Sequence, residues 1–183
     1  MSRRRRHHWL DGLVTLAAMV LTHGAALAHS ASDAYLTLTV QDRAGSGTAA
    51  RTIVHGQWDI ALRDLDFVLK LDDDGDGKIV WGELKKHQAT VSDYAYAHIL
   101  FVTDGKACRI VPARQAVDAH ADGAYAVLFF DAICDAGAKQ LTLDYRLFFT
   151  VDPSHRGILV LRSGDIVATS LLSPANAKIE LGL

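Results

Sequence analysis

The chain has 183 residues, half of them apolar, with 19 Lys and Arg set against 21 Asp and Glu for a formal charge of −2. A balance this close to neutral, with no basic stripe interleaved with aromatics, excludes nucleic acid as the expected partner. Beyond the N-terminal region no apolar segment reaches membrane-spanning length without charges or turn residues breaking it, so the body is expected to be soluble.

Residues 1–28 read as an export signal. Arg3 to Arg6 make a basic start, residues 12–22 an apolar stretch, and Ala26, Leu27 and Ala28 a small-residue cleavage site. Ser2, Arg3 and Arg4 hint at twin-arginine export, but Arg6 stands where that signal favours an apolar residue, which favours the general secretory route. The alternative is an uncleaved anchor, for which the apolar run is short. Cleavage would leave His29 first and, by removing four Arg and one Asp, move the charge from −2 to −5. Residues 29–183 suit a single domain with a real core. The expected location is periplasmic or secreted.

Residues 34–40 alternate, with Leu36, Leu38 and Val40 on one face and Tyr35, Thr37 and Thr39 on the other. After a Gly/Ser loop the alternation resumes over residues 52–58, placing Val54 and Trp58 together and predicting a hairpin. A helical stripe follows over residues 60–71, carried by Leu62, Leu65, Val68 and Leu69, with Leu71 abutting what comes next.

What comes next is DDDGDGKIVWGE, residues 72–83. Counted from Asp72, carboxylates fall at positions one, three and five (Asp72, Asp74, Asp76), a glycine at six (Gly77) and a long carboxylate at twelve (Glu83). Calcium (Ca2+) is a hard cation that takes six to eight oxygens, and a chain curling around it must present donors at alternate positions. Lys78 would contribute its backbone carbonyl, Ile79 would point inward, and Val80, lacking a donor, would leave its vertex to water. Asp/Gly turns between helices need no metal. Here, however, Asp72, Asp73, Asp74, Asp76 and Glu83 would repel one another without a cation. A second helix is expected over residues 83–98, with Leu84, Val91, Tyr94 and Ala95 on one face and His87 interrupting it.

Strands are expected thereafter over 99–103 and 107–111, joined by the tight turn Asp104-Gly105, and over 113–119, 124–134, 140–151, 157–161, 165–172 and 177–181. Many short strands at regular spacing predict a mainly β fold, a β-sandwich of Ig-like or similar type, with the helix-loop-helix inserted at about 59–98. Cys108 and Cys134 are the only cysteines. In an exported chain a disulfide between them is the default expectation, two buried free thiols the alternative. His55, His87, His98, His120 and His155 are scattered singly and read as surface or turn residues. His29, once first, would offer an amine and an imidazole to copper or nickel. Ser154 and His155 are neighbours in a turn, which does not make a triad. With no phosphate-cradling glycine loop, GxSxG elbow or HExxH helix, no enzyme is expected.

Two resemblances rest on these residues. The loop 72–83 and its flanks resemble the EF-hand superfamily, which implies calcium ligation by Asp72, Asp74, Asp76, the Lys78 carbonyl and Glu83. EF-hands usually pair through position eight, and the lack of a second DxDxDG loop requires Ile79 to find its partner in the β body. The runs AHSASDAYLTL, GQWDIALRDLDFVL and SHRGILVL are similar to the exported N-terminal region of bacterial membrane proteins of the HupE/UreJ-like class, in which a β-rich part precedes membrane helices associated with metal uptake. The chain ends at Leu183 without such helices, so the expectation is a stand-alone soluble version or an incomplete chain. The leading functional expectation is an exported, non-catalytic protein binding one calcium ion, structurally or as a weak sensor. The alternative is an accessory module of a membrane transport system for nickel, cobalt or copper, with a membrane protein as partner.

Overall fold

Alternating apolar residues build the first layer. In a computed structural model describing residues 32–43, 51–137 and 139–183, β1 (Asp33–Arg43) and β2 (Arg51–Ala61) pair antiparallel, with Leu36 opposite Trp58. Leu36, Leu38, Val54, Trp58 and Ile60 are fully buried, as a period of two places them on one face. The expected signal segment 1–28 and His29 lie outside the described residues.

Two sheets pack around one apolar core, which gives the β-sandwich expected from the strand spacing. The first has the order β5-β6-β2-β1-β8-β9, with β5 Arg109–His120, β6 Gly123–Asp135, β8 Arg156–Ser163 and β9 Ile166–Leu172. The second has the order β10-β7-β3-β4, with β3 Ile99–Thr103, β4 Lys106–Ala107, β7 Gln140–Tyr145 and β10 Lys178–Gly182. Among the described residues all pairings are antiparallel except β1 with β8, which run parallel from Asp33 opposite Arg156 to Val40 opposite Ser163. Phe101, Leu143 and Tyr145 of the second sheet meet Trp58, Phe130 and Leu159 of the first in a common core.

Three helices occupy the passage from β2 in the first sheet to β3 in the second: α1 (Leu62–Leu69), α2 (Trp81–Lys86) and α3 (Gln88–Ala97). Leu62, Leu65, Leu84, Val91 and Ala95 bury their side chains in the same core. The first helix begins two residues later than expected, because Ile60 and Ala61 still pair with β6. The second expected helix is two, broken at His87, whose backbone (φ −95°, ψ 8°) ends one and starts the other.

Other boundaries also differ from the sequence reading. The strand expected over 140–151 stops at Tyr145, where the Arg146 amide turns to the His98 carbonyl and Phe148 takes a left-handed conformation (φ 57°). The pieces expected over 107–111 and 113–119 are divided instead at Cys108, which separates β4 from β5, and the register of β5 shifts between Pro112 and Arg114. The Asp104-Gly105 turn behaves as expected, with φ of 49° and 76°, the doubly positive geometry of a tight hairpin.

Cys108 and Cys134 form the expected disulfide, with Cα atoms 4.5 Å apart. The bond ties β6 to the point where the chain leaves the second sheet for the first. There the Cys108 amide donates to the Phe101 carbonyl at 2.8 Å. Gly56 of β2 lies opposite Phe130 of β6, and a Cβ at that position would run into the Phe130 ring. The glycine is a packing requirement, not a turn.

Two stability measurements follow. Replacing both cysteines by Ala should cost about 3–4 kcal/mol in denaturant unfolding, the loop-closure value for a cross-link of this span. Gly56→Ala should cost about 1–3 kcal/mol by overpacking a buried ring. Equal midpoints for this variant and the parent would mean that the ring moves freely aside.

Candidate functional site

The acidic loop is built from its first anchor. Helix α1 ends at Lys70 in a left-handed conformation, and the carboxylate of Asp66 accepts the next two amides, Leu71 at 2.7 Å and Asp72 at 3.0 Å. Leu71 is fully buried. The chain therefore leaves the helix with its direction set by one core side chain and one capping carboxylate.

From there three carboxylates turn inward together. Asp72 accepts the Gly75 amide at 2.7 Å on one oxygen and the Gly77 amide at 2.8 Å on the other. Asp74 accepts the Asp76 amide at 3.1 Å, and Asp76 the Lys78 amide at 2.8 Å. Gly75 and Gly77 have φ of 76° and 80°, where a Cβ would be strained, so glycine suits both positions. One oxygen from each of Asp72, Asp74 and Asp76 lies within 4.8 Å of the others. The Gly77 amide is the largest influence holding the Asp72 carboxyl below the usual carboxylate range.

The remaining predicted residues are placed differently. Glu83 accepts the Asp73 amide at 2.8 Å on one oxygen and the Val80 amide at 2.9 Å on the other, clamping both ends of the loop against the first turn of α2. Lys78 is exposed, and its amide serves Asp76. Ile79 packs on the core from the loop side and, with Leu62, Leu84, Val117 and Ala124, lines a cavity of about 320 Å³ against β5 and β6. Asp73, which the ligand pattern leaves out, turns the other way. It meets Lys86 at 2.8 Å and His87 at 3.0 Å, and the Lys86 contact above all keeps its carboxyl below the usual range. The helix break at His87 brings that imidazole back to the loop.

On its far side the loop faces the β5–β6 turn across a cavity of about 330 Å³ lined by Arg63, Asp66, Asp72, Gly77, Asp122 and Gly123, among others. Arg63 spans part of this interval, donating to the Asp122 carbonyl at 3.0 Å and pairing with its carboxylate at 3.2 Å. Tyr125 donates to the same carboxylate at 2.9 Å. The loop is thus set against a hairpin whose turn is held by α1.

A second polar constellation escaped the sequence reading. His155, expected as a surface or turn residue, closes a turn on the Asp152 carbonyl but is fully buried, because it shares the phase of Gly157, Leu159 and Leu161 leading into β8. Tyr145 bonds its Nε2 at 2.8 Å, its Nδ1 bonds Ser32 at 2.7 Å, and Ser32 donates to Asp64 at 2.9 Å. Since the Ser32 proton goes to Asp64, Nδ1 carries the imidazole hydrogen and Nε2 accepts from the Tyr145 hydroxyl. In a nucleophile, base and orienter set the carboxylate holds the imidazole. Here it holds the serine, and the second imidazole nitrogen is taken by a buried phenol. The order is therefore not the one of such a set.

No protein-family model matches the chain, and no curated protein matches it.

Burial pushes the His155 imidazole down from 6.5 to about 4. Between those values the unfolded chain holds the extra proton, so stability falls as pH drops through that window and is fully present above it, a span of about 3 kcal/mol. Urea unfolding of the parent and of His155→Gln from pH 4 to 7 should show this slope in the parent and a flatter one in the variant.

Proposed function

We propose that this is an exported, non-catalytic protein that binds one calcium ion in the loop 72–83, where the ion fixes the helices against the β body. The observation that carries this reading is the convergence of Asp72, Asp74 and Asp76, whose oxygens lie within 4.8 Å of one another at the expected alternate positions. Three carboxylates this close repel one another, and a divalent cation between them removes the repulsion and uses their free lone pairs. The donor set is hard and all-oxygen, which suits calcium over softer ions. Asp72, Asp74, Asp76, the Lys78 carbonyl and Glu83 would hold it, with Glu83 giving up amide contacts to do so.

Three further observations support the reading. The two helices bracket the loop with buried residues on both sides, as a clamp requires. Ile79 lies against the β body, consistent with a hand that works without a second hand. The Cys108–Cys134 disulfide suits an oxidising compartment, and no helix among the described residues is long and apolar enough to cross a membrane. The finer location, periplasmic or secreted after cleavage near Ala28, belongs to this proposal. A single hand on a rigid body is expected at the weak end of the calcium range, with Kd of about 10⁻⁴ to 10⁻³ M as in extracellular modules.

Melting curves test it. A ligand at a hundred times its Kd stabilises the folded state by about 2.7 kcal/mol, worth roughly 5 to 10 °C in a domain of this size. Calcium should produce such a rise in the parent, and Glu83→Gln or Asp72→Asn should remove most of it. Identical melts of the parent with and without calcium at a hundred times that Kd, about 10 to 100 mM, would overturn the proposal.

A further inference from the structure

A different donor set lies on the face of the six-stranded sheet that points away from the core. Asp59 of β2 and Asp118 and His120 of β5 bring one ligand atom each to within 4.8 Å of the others. The ladders explain why they share a face. Asp59 stands opposite Val127 of β6 and Asp118 opposite Tyr125, so all project on the same side of the pleat, and His120 follows Asp118 by one period of two. None of the three lies in the loop 72–83.

The arrangement is organised around the imidazole. His120 stacks on Tyr125 with ring centroids 4.1 Å apart and leans on Tyr35 at 5.0 Å, an orientation that aims Nε2 at Asp59 across 3.2 Å. Asp59 is buried, 6% exposed, and its other oxygen accepts the Gln57 amide at 2.9 Å. Asp118 is exposed. A simple ion pair would need His120 and Asp59 alone. A second carboxylate beside a buried first one adds repulsion, which a shared cation turns into attraction.

We propose that Asp59, Asp118 and His120 bind a divalent first-row transition ion. The donor chemistry separates this site from the loop. Imidazole nitrogen with carboxylate oxygens suits zinc, cobalt or nickel, whereas calcium takes oxygen alone. With metal–ligand bonds of about 2.0–2.2 Å, neighbouring ligand atoms sit roughly 3–3.5 Å apart. The Nε2 to Asp59 separation already falls in that interval, and an oxygen of Asp118 lies within 4.8 Å of a ligand atom of each. Gln57 supplies the outer hydrogen bond that orients a ligating carboxylate. Three protein ligands leave the solvent side of the ion open for water or for a donor from another molecule.

Calorimetric titration of the full exported chain with zinc, in saturating calcium, tests the inference. It should show one zinc equivalent whose affinity falls at least about tenfold in Asp118→Asn and in His120→Gln. The same equivalent should persist in Glu83→Gln, which separates this site from the calcium loop. Circular dichroism and the calcium-dependent melt of Asp118→Asn, an exposed position, report whether the fold is intact. Cobalt absorption bands that are lost in His120→Gln would identify the nitrogen donor. The inference is overturned if zinc does not bind, if binding survives both substitutions, or if it disappears in Glu83→Gln while persisting in Asp118→Asn.

Discussion

The twelve acidic-loop residues are suspended between two buried leucines. Leu71 immediately before the loop and Leu84 immediately after it are both fixed in the core, at 0% and 2% exposure. Each side chain contributes about 1.5–3 kcal/mol by burial, so the ends of the loop are set by apolar packing before any carboxylate is placed. The segment between them must then arch outward and satisfy its own backbone. It does so with its acidic side chains: Asp72 takes two amides, Asp74 and Asp76 one each, and Glu83 two more. Packing sets the position of the loop, and carboxylate-to-amide bonds set its shape.

Much of this was legible in the sequence because it is local. The alternation of Leu36 and Leu38 or of Val54 and Trp58 needs only neighbouring residues to be read, and Gly77 was expected to carry the unusual backbone that its φ of 80° displays. What the sequence hid is nonlocal. The parallel pairing of β1 with β8 joins residues more than a hundred positions apart, and no periodicity encodes it. Asp73, grouped in the sequence with the mutually repelling acids of the loop, instead meets Lys86 and His87, 13 and 14 positions away. A histidine standing singly in a turn gives no sign of burial, and only the phase of His155 with Gly157 and Leu159 points to the core. The strand over 140–151 kept its alternation on paper, but Leu147 and Phe148 bury themselves in a turn, which apolarity alone cannot distinguish from a strand.

The buried and clustered acids are handled in three ways, and the comparison sharpens the two metal readings. Asp64, raised above the usual carboxylate range chiefly by burial, is met by a hydroxyl at the end of the His155 hydrogen-bond chain. Arg63 Nε also lies 3.5 Å from Asp64, so a side-chain cation already offsets this carboxylate. Asp72 is met by backbone amides, and it lies with two other carboxylates that are likewise met by backbone amides. Asp59 is met by an amide and an imidazole, with a second carboxylate at hand. Donor type then divides the two clusters, all oxygen in the loop and mixed nitrogen and oxygen on the sheet.

Magnitudes also bear on what an ion in the loop could do mechanically. A groove-opening switch would have to pull Leu65, Leu71, Leu84 and Val91 away from the core in which they are now buried. At about 1.5–3 kcal/mol each, that exposure would cost on the order of 6–12 kcal/mol. A site with Kd near 10⁻⁴ to 10⁻³ M, in about 1 mM calcium, contributes only about 0.4–1.4 kcal/mol. An ion can shift an equilibrium by no more than its differential affinity for the two states. On the proposed reading calcium therefore stiffens an arrangement that packing has already chosen. The part of the molecule free to respond is the loop itself, with Glu83 exchanging amide contacts for the ion and Asp73 holding Lys86 and His87 alongside.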